Sequence, residues 1–459
     1  MKQQFLDFLA VPSNFRCVLV EIAFKNDAGI DDVAYISNAP FITKPSDAPA
    51  NTPFDDVIIS GLEITRAMSE VFTGRSSSYL SDLEIVLNPF TAKLAHIDNG
   101  QISVYMGAKD WQKADFEQVF VGEIENAAPG KDTITIEFKD KAKTLDKPCL
   151  NAVYTNGPSE GLFKPLLLGQ CFNVSPVLID DANHIYQFNS VASINVGNVR
   201  FNGDTVSSAH YVVDLATSTI KFNVKPQGTI TLDATGPHAT AAQMINYFVP
   251  GATVNGLPAY TLGLFIADEL TISDALDLVC KSVGAYWYFD RKGQFKCSAF
   301  RGVANTSSST LYDDLNIAYS RQPRRKIKAL KQLSLEYAIN YTPLSAVSAV
   351  VFDTAPALAQ QLTKDASSVV DTNTVIGDTL KARTLIANKA DAQTELARRL
   401  ALKTIPRFVY ETEQLAAPFS WLLGDTLALE TAAKNGERVV LTRLSEQLLD
   451  GVCTVEFWQ

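Results

Sequence analysis

The feature that most constrains the fold of this chain is a short alternation of apolar and polar residues, interrupted by turn dipeptides. Segments 133–138, 229–233 and 454–457 alternate with a period of two, as half-buried strands do. Dipeptides that supply the positive φ of tight hairpins recur along the chain. They are Asn99-Gly100, Asn202-Gly203, Asn435-Gly436 and Asp450-Gly451. The pattern predicts a β-rich protein.

One hairpin and three helices can be placed from the same pattern. The aromatic run Tyr286–Phe289, a turn, and then Gln294–Cys297 predict a hairpin. Helical spacing of apolar residues predicts helices near 272–285 and 391–403, and a weaker signal predicts a third helix at 241–248. We therefore expect a mainly β protein with a few helices, of the α+β class.

The sequence also indicates the N-cap, the buried face or an ion pair of the two longer helices. Ser273 is a suitable N-cap for the first, with its buried face formed by Ile272, Leu276, Val279 and Val283. In the second, Ala392, Leu396 and Leu400 mark the buried face. Glu395 is one turn before Arg399, so we expect these two to pair.

The length and composition indicate several globular domains. The chain has 459 residues, of which 46% are hydrophobic and 20% charged, and a domain typically takes about 150 residues. Turn-rich breaks occur at 156–161 and at Gly236-Pro237. We predict a β-rich N-terminal domain (1–155), a β-rich middle domain (156–238) and a C-terminal α+β domain (239–459).

Charge and hydropathy exclude several classes of protein. The net charge of −10 argues against nucleic acid as the main ligand, because nucleic-acid binders are usually basic. The N-terminal apolar stretch is broken by Asp7 and ended by Pro12, so it does not resemble a signal peptide. The densest apolar run, 346–352, is far shorter than the roughly 18 residues of a membrane span. We expect a soluble protein made in the cytosol.

Motifs of catalysis and metal binding are missing from the sequence, which has no phosphate-binding glycine loop, no His-Glu-x-x-His and no Gly-x-Ser-x-Gly. Cys17, Cys149, Cys171, Cys280, Cys297 and Cys453 form no Cys-x-x-Cys, and we interpret them as buried thiols. His96, His184, His210 and His238 have no partner at ligand spacing. We predict no catalytic residue, no cofactor-binding residue, no metal ligand and no cofactor.

Three clusters leave alternatives open. The acid pairs Asp31-Asp32, Asp55-Asp56, Asp180-Asp181 and Asp313-Asp314 favour solvated loop acids over the facing carboxyls of a glycosidase. The basic run Arg321, Arg324, Arg325, Lys326, Lys328 and Lys331 favours a solvated strand face or a salt-bridged subunit contact over nucleic acid. Tyr286–Phe289 favours core, with a carbohydrate-stacking platform as the weaker alternative.

Three stretches of the chain carry a resemblance to a known family. The first comprises Arg16–Glu21, Ser37–Phe41, Tyr105–Gly107 and Val119–Gly122, and the second is Lys164–Asp180. The third comprises Ser334–Tyr337, Asn340–Thr342, Asp391–Leu402, Leu423–Asp425 and Val455–Trp458. In this order they resemble tail-tip and baseplate-hub proteins of long, non-contractile-tailed bacteriophages and related prophages.

The resemblance implies a homotrimeric ring that closes the distal end of the tail tube. Hub proteins of this kind commonly build the ring from two β-barrel-like domains per subunit, so that three subunits match a sixfold tube. It further implies contacts with tail-tube proteins, the tape-measure protein and tail fibres in the virion. DNA would pass through the channel without specific binding, and the acidic excess suits this, because like charges repel phosphate.

We therefore expect a non-enzymatic structural subunit of a phage tail tip, built from β-barrel-like or β-sandwich-like domains that form a tube. The alternative is a carbohydrate-active or carbohydrate-binding β-rich protein that acts on a host surface glycan. A tail adaptor ring of a different symmetry is a third possibility, and only a count of subunits would distinguish it.

Overall fold

The structure is a computed structural model of the chain. It describes residues 2–26, 28–95, 97, 100–312, 316–319, 323–415, 421–431 and 434–459. Strands dominate this part of the chain, which also contains six α-helices. The prediction of a mainly β protein with a few helices is therefore confirmed. None of the helices in the described residues has the length and apolarity to cross a membrane.

The helices are short and are spread along the chain. They are α1 (Gln3–Leu9), α2 (Ala241–Phe248), α3 (Ile272–Ser282), α4 (Ala349–Thr354), α5 (Pro356–Thr363) and α6 (Lys389–Leu402). Short 3-10 helices cover Ala92–Leu94, Lys113–Asp115, Lys141–Leu145 and Ser208–His210.

The strands of the first 140 residues are β1 (Cys17–Lys25), β2 (Asp31–Ser37), β3 (Phe41–Ile42), β4 (Pro53–Asp56), β5 (Ile58–Ser60), β6 (Glu63–Ala67), β7 (Gly74–Arg75), β8 (Ser77–Leu80), β9 (Leu83–Val86), β10 (Gly100–Gly107), β11 (Glu117–Pro129) and β12 (Thr133–Lys139). The middle of the chain forms β13 (Leu166–Val174), β14 (Val177–Asp180), β15 (Ile185–Gln187), β16 (Asn195–Phe201), β17 (Asp204–Thr205), β18 (Tyr211–Asp214), β19 (Thr219–Phe222), β20 (Ile230–Thr235), β21 (Thr253–Asn255), β22 (Gly263–Ile266), β23 (Ala285–Phe289) and β24 (Phe295–Ala299). The last third forms β25 (Ser309–Tyr312), β26 (Asn316–Tyr319), β27 (Arg325–Ile327), β28 (Leu330–Tyr337), β29 (Ser367–Thr372), β30 (Asp378–Arg383), β31 (Arg407–Leu415), β32 (Thr426–Thr431), β33 (Lys434–Gln447) and β34 (Val452–Trp458).

Nine strands of the N-terminal region form the first sheet, in the order β3-β4-β2-β1-β10-β11-β12-β9-β5. Neighbours are mostly antiparallel, and in the centre Val20 of β1 lies opposite Val104 of β10. In β12, Ile134 and Ile136 are buried while Thr133 and Thr135 are partly exposed, as the alternation predicts. One face of the sheet therefore packs on an apolar core that also takes Phe5 from α1.

Nine strands also form the second sheet, which combines both ends of the chain. Its path is β25-β32-β33-β34-β31-β26, with β27 pairing β31 and the N-terminal strands β6 and β8 joined through β33. Arg66 of β6 lies opposite Leu444 of β33 in an antiparallel register. Buried Leu427, Leu441 and Phe457 lie at its core. The N-terminal segment that leaves the first sheet thus enters the second directly.

Smaller sheets occupy the rest of the chain. The middle region builds a five-stranded sheet, β17-β16-β20-β13-β22, and a four-stranded sheet, β14-β15-β19-β18. A four-stranded sheet, β21-β24-β23-β7, and a three-stranded sheet, β29-β28-β30, pack near the helices. The largest core cluster brings α2, α3 and α6 onto these sheets, around the fully buried Trp287. The division of the chain at residues 155 and 238 stays a prediction.

The predicted hairpin and all three predicted helices are present, with differences at the helix ends. β23 and β24 pair as expected, with Tyr288 opposite Lys296, and α2 has the predicted bounds. The N-cap of α3 is Thr271, whose hydroxyl accepts from the backbone N–H of Asp274, so the prediction of Ser273 is wrong. The helix ends at Ser282, before the predicted limit, because Gly284 adopts a φ of +61°.

Helix α6 begins two residues earlier than predicted. Asn388 is its N-cap, and the side chain accepts from the backbone N–H of Asp391. Its buried residues include the three that the spacing predicts. Three further helices, α1, α4 and α5, were not expected from the pattern, because each spans at most eight residues and offers little periodicity.

Candidate assembly surfaces

The two terminal strands of the first sheet expose apolar side chains. β3 ends one side of the sheet and β5 ends the other. Ile42 on β3 is 69% exposed, and Ile59 on β5 is 48% exposed. An edge strand offers unpaired backbone N–H and C=O groups, and natural proteins usually protect such edges with charge. The exposed isoleucines make both edges candidate contact surfaces.

The β5 edge carries a wider apolar surface, the edge patch, formed by Ile59, Val86 and Phe90. Val86 ends β9, the strand that pairs with β5. The turn that follows folds back onto it, since the Thr91 hydroxyl donates to the Val86 carbonyl at 2.7 Å. Phe90 lies in this turn and is 70% exposed. Exposed apolar side chains at one edge of a sheet make this edge a candidate protein contact.

A buried ion-pair cluster fixes the joint between the N-terminal strands and the second sheet. The Glu446 carboxylate of β33 accepts hydrogen bonds from Arg66 of β6 and from Arg291 of the β23–β24 turn. The three side chains are 2–6% exposed. Burial and the charge of Arg66 lower the pKa of Arg291 to about 9, although Glu446 opposes this shift. The cluster holds three distant parts of the chain in one arrangement.

A second charged cluster lies where the N-terminal region meets α3. Arg75 of β7 lies 3.7 Å from Asp140 and 3.4 Å from Asp146, and its guanidinium is 5.6 Å from the centre of the Trp287 ring. Asp140 caps a 3-10 helix by accepting from the Ala142 N–H. Burial raises the pKa of Asp140 to about 6, because it outweighs the lowering by Arg75 and by that hydrogen bond.

The aromatic run of β23 lies in the core. Tyr286, Trp287, Tyr288 and Phe289 are at most 8% exposed. The Tyr286 hydroxyl donates to the Leu423 carbonyl at 2.8 Å, and the Trp287 ring N–H donates to Asp277 at 2.8 Å. The interpretation of this run as core is confirmed. A carbohydrate-stacking platform here is ruled out, because a sugar cannot reach rings that are buried on both faces of the strand.

Three of the five described cations of the basic run pair with acids of the same chain. Arg324 pairs with Glu411 and Glu456, Arg325 lies 3.6 Å from Glu70 and Lys328 lies 3.5 Å from Asp378. The Lys326 ammonium lies 6.0 Å from the centre of the Phe408 ring. Arg321 is outside the described residues. The cations that are described are thus mostly engaged by acids of the same molecule, which does not favour a phosphate-binding surface.

The acid pairs do not converge. Asp31 pairs with Lys25 and Asp32 with Lys93. Asp180 accepts from the backbone and side chain of Asn183, and Asp181 pairs with Lys225. Asp55 and Asp56 lie at the end of β4, and Asp313-Asp314 is outside the described residues. The described pairs belong to different turns and strands, so they do not form the facing carboxyls of a glycosidase.

Histidines and cysteines are also dispersed. His184 lies in the β14–β15 turn with a φ of +55°, His210 ends a 3-10 helix and the His238 ring lies 5.2 Å from the Tyr247 ring. His96 is outside the described residues. The six cysteines are free thiols, five of them buried, and burial raises the pKa of Cys17 to about 11. Among the described residues, no group of three or more His, Cys, Asp or Glu side chains is placed to hold a metal ion.

Sequence reasoning missed the two charged clusters. Arg66 and Glu446 are separated by 380 residues. Arg291 stands between Asp290 and Lys292 in a predicted turn, where charged residues are ordinarily solvated. For Arg66 and Glu446, the signal that the sequence offers is a charged residue inside a strand. It does not identify the partner.

No protein-family model matches this chain, and no curated protein matches it. Among solved structures, it is similar to the 43 kDa tail protein of prophage MuSo2 from Shewanella oneidensis, with a TM-score of 0.45, 12% identity, and coverage of 96% of this chain and 98% of that chain.

Two other solved structures are similar over comparable lengths. A tail protein from Neisseria meningitidis MC58 has a TM-score of 0.41 and 11% identity, and the match covers 96% of each chain. The prophage tail protein gp18 from Listeria monocytogenes EGD-e has a TM-score of 0.41 and 6% identity, with 96% of this chain and 94% of that chain covered. All three of these solved structures are described as tail proteins.

Proposed function

We propose that this protein is a structural, non-enzymatic subunit of a phage virion: a tail-tip or baseplate hub whose copies form a ring that closes the distal end of the tail tube. The observation that carries the proposal is the presence of two nine-stranded sheets in one chain, joined directly by the segment between β5 and β6. The hub family that the sequence resembles builds its ring from two large β domains per subunit.

The pair of sheets supports a stoichiometry of three. Three copies of the chain supply six such sheets, which matches a sixfold tube. The buried cluster of Arg66, Arg291 and Glu446 supports this arrangement, because it fixes the N-terminal strands on the second sheet. A hub must keep its two β domains in a constant relative position to close a ring.

The two edges of the first sheet support a ring of subunits rather than a symmetric dimer. Exposed apolar residues lie at both ends of the sheet, Ile42 at one edge and the edge patch at the other. Two different edges on one subunit suit a head-to-tail contact, which closes into a ring when the rotation per subunit divides a full turn. We propose that the edge patch contacts the neighbouring subunit.

The further partners are proposed on the sequence resemblance. They are the distal tail-tube proteins, the end of the tape-measure protein and the receptor-binding fibres, in a virion assembled in the host cytoplasm. The channel passes DNA without specific binding, and the net charge of −10 supports this because an acidic surface repels phosphate. No cofactor or metal takes part.

Native mass spectrometry of the purified full-length chain, together with electron microscopy of tails, tests the proposal. We expect a mass three times that of one chain, and density for the protein at the distal end of the tail. A chain that stays monomeric at micromolar concentration and is absent from purified tails would end the hub proposal. A ring with another number of subunits would instead identify a tail adaptor.

The carbohydrate-active alternative is not favoured. Its stacking platform would need exposed aromatic rings, whereas Tyr286–Phe289 are buried. Its two catalytic carboxyls would need to face each other across a cleft. Asp31, Asp32 and Asp181 instead pair with three different lysines.

A further inference from the structure

A cavity of about 300 Å³ opens between α6, the three-stranded sheet and the loop that precedes β7. Its floor is apolar and consists of Phe72, Phe300, Leu330, Leu333 and Leu402. The first four are at most 7% exposed, and the Phe72 and Phe300 rings stack at 4.8 Å between centroids. A cavity of this size and lining is within the range of ligand pockets.

Cations surround this apolar floor. They are Lys281, Arg383, Arg398, Arg399 and Lys403. The fully buried Glu395 pairs with both Arg398 and Arg399, and Asp277 pairs with Lys281 at 2.8 Å. Within the part of the chain that the structure describes, Arg383 and Lys403 have no hydrogen-bond or ion-pair partner for their charged groups. Two of the five cations are thus available to a ligand.

The position of Lys403 is costly for a positive charge. The residue follows the last turn of α6, four residues after Arg399, and is only partly exposed. Burial lowers the pKa of Lys403, and the positive charge of Arg399 lowers it further. The carboxyl end of a helix provides only about half an elementary charge in compensation. An anion beside Lys403 would therefore offset both the repulsion between Lys403 and Arg399 and the cost of burying the Lys403 charge.

The remaining donors fit a monoanion. The Arg398 guanidinium already donates to the carbonyls of Phe300 and Val283 besides Glu395, and that of Arg399 donates to the carbonyls of Lys281 and Ser282. The lining cations without a partner among the described residues are the Lys403 ammonium and the exposed Arg383 guanidinium. A carboxylate, with two acceptor oxygens, is satisfied by this set, whereas a phosphate dianion favours more donors.

We propose that this cavity binds an apolar carboxylate, whose hydrocarbon part fills the floor and whose carboxylate pairs with Lys403, with Arg383 contributing from the rim. The ligand is either a free aryl or alkyl carboxylic acid or the carboxyl-terminal residue of a polypeptide. Val71 and Leu380 line the mouth and are 55% and 39% exposed, so a longer ligand would cover more apolar surface. The inference does not depend on the proposed role in the tail.

Titration calorimetry of the full chain with 4-phenylbutyrate tests the chemistry. We expect a Kd on the order of 1 mM for a ligand of this size, and methyl chemical-shift changes at Leu333 and Leu402. The neutral analogue 4-phenylbutyramide should bind about tenfold more weakly, since it lacks the charge-assisted hydrogen bond. Equal binding of the acid and the amide would overturn the proposal.

Variants locate the site. Lys403→Gln should raise the Kd of 4-phenylbutyrate about tenfold, and Arg383→Gln about threefold because its guanidinium is exposed. Lys389→Gln, the same substitution at the exposed start of α6, is the matched control and should leave the Kd unchanged. Thermal unfolding of each variant checks that the fold is retained. Binding that is insensitive to Lys403→Gln in a folded chain would overturn the assignment.

A third arm separates the two sources of the carboxylate. A tetrapeptide, acetyl-Gly-Ser-Gly-Phe with a free carboxyl terminus, is compared with its carboxamide. A peptide acid that binds at least about threefold more tightly than 4-phenylbutyrate indicates a polypeptide end, because it also covers Val71 and Leu380. Weaker binding of the peptide indicates a free acid. Failure of both acids to bind would end the proposal.

Discussion

The Arg291 guanidinium donates a hydrogen bond of 2.7 Å to the Glu446 carboxylate, and both side chains are almost completely buried. Arg66 reaches the same carboxylate from β6. Two buried cations therefore share one carboxylate, and this acid connects the β23–β24 turn, the second sheet and an N-terminal strand. Loss of this acid would leave two like charges in the core.

We expect Glu446→Gln to lower the free energy of unfolding by about 3–5 kcal/mol, because it removes the carboxylate charge that faces two buried guanidinium groups. Urea unfolding followed by circular dichroism measures the change. Glu411→Gln is the matched control: its partner Arg324 is exposed, so we expect a loss below about 1 kcal/mol. Similar losses for the two variants would show that the buried cluster does not stabilise the joint.

A dependence of stability on pH follows from Asp140. Burial raises the pKa of this carboxyl to about 6, against the lowering by Arg75, while Asp146 and Glu123 add to the rise. Because the folded pKa lies above the value of 3.8 for an unperturbed aspartate, the contribution of Asp140 to stability is complete below about pH 4 and is lost as the pH rises through 6.

Asp140→Asn should remove this dependence while it retains an N-cap acceptor. We expect the free energy of unfolding of the variant, relative to the native chain, to increase by about 3 kcal/mol between pH 4 and pH 7.5. Denaturant titrations at a series of pH values measure the difference. Asp132→Asn, at an exposed site, serves as the control. A difference for Asp140→Asn that stays constant with pH would contradict the prediction.

The edge patch should govern assembly and not folding. Phe90→Asp places a charge on a side chain that is 70% exposed, so we expect the unfolding free energy to change by less than about 0.5 kcal/mol. The mass in solution should fall from that of a ring to that of one chain, because a buried unpaired carboxylate opposes the contact. Sedimentation velocity measures this.

Val224→Asp is the control for that experiment. Val224 is 75% exposed but lies between β19 and β20, outside the first sheet, and its substitution should leave the ring intact. An intact ring in Phe90→Asp would show that the edge patch is not a subunit contact.

The chain should not retain DNA. Its net charge is −10, and Arg324 of the basic run is already paired with Glu411 and Glu456. For a labelled duplex of about 30 base pairs at about 0.15 M salt, we expect a Kd weaker than about 10⁻⁴ M. Fluorescence anisotropy measures it. A micromolar Kd would contradict the absence of nucleic-acid binding.

The sequence predicted correctly those helices and strands whose formation depends on interactions between residues close in sequence. Helix α2 has its predicted bounds because its capping box, with Thr240 and Gln243 bonded to each other's backbone, is contained within four residues. The β23–β24 hairpin was predicted for the same reason, since its strands are separated by one short turn. Glu395 meets Arg399 as the one-turn spacing requires.

The sequence alone determined that this chain is a mainly β protein with few helices and without a recognisable catalytic motif. These properties follow from periodicity and residue type, which act over a few residues. Only the tertiary structure decided that β6 joins the second sheet, that Glu446 meets Arg66 across 380 positions, and that Lys403 and Arg383 line one apolar cavity. Such contacts depend on how distant segments pack, and a single sequence carries no local signal for that choice of partner.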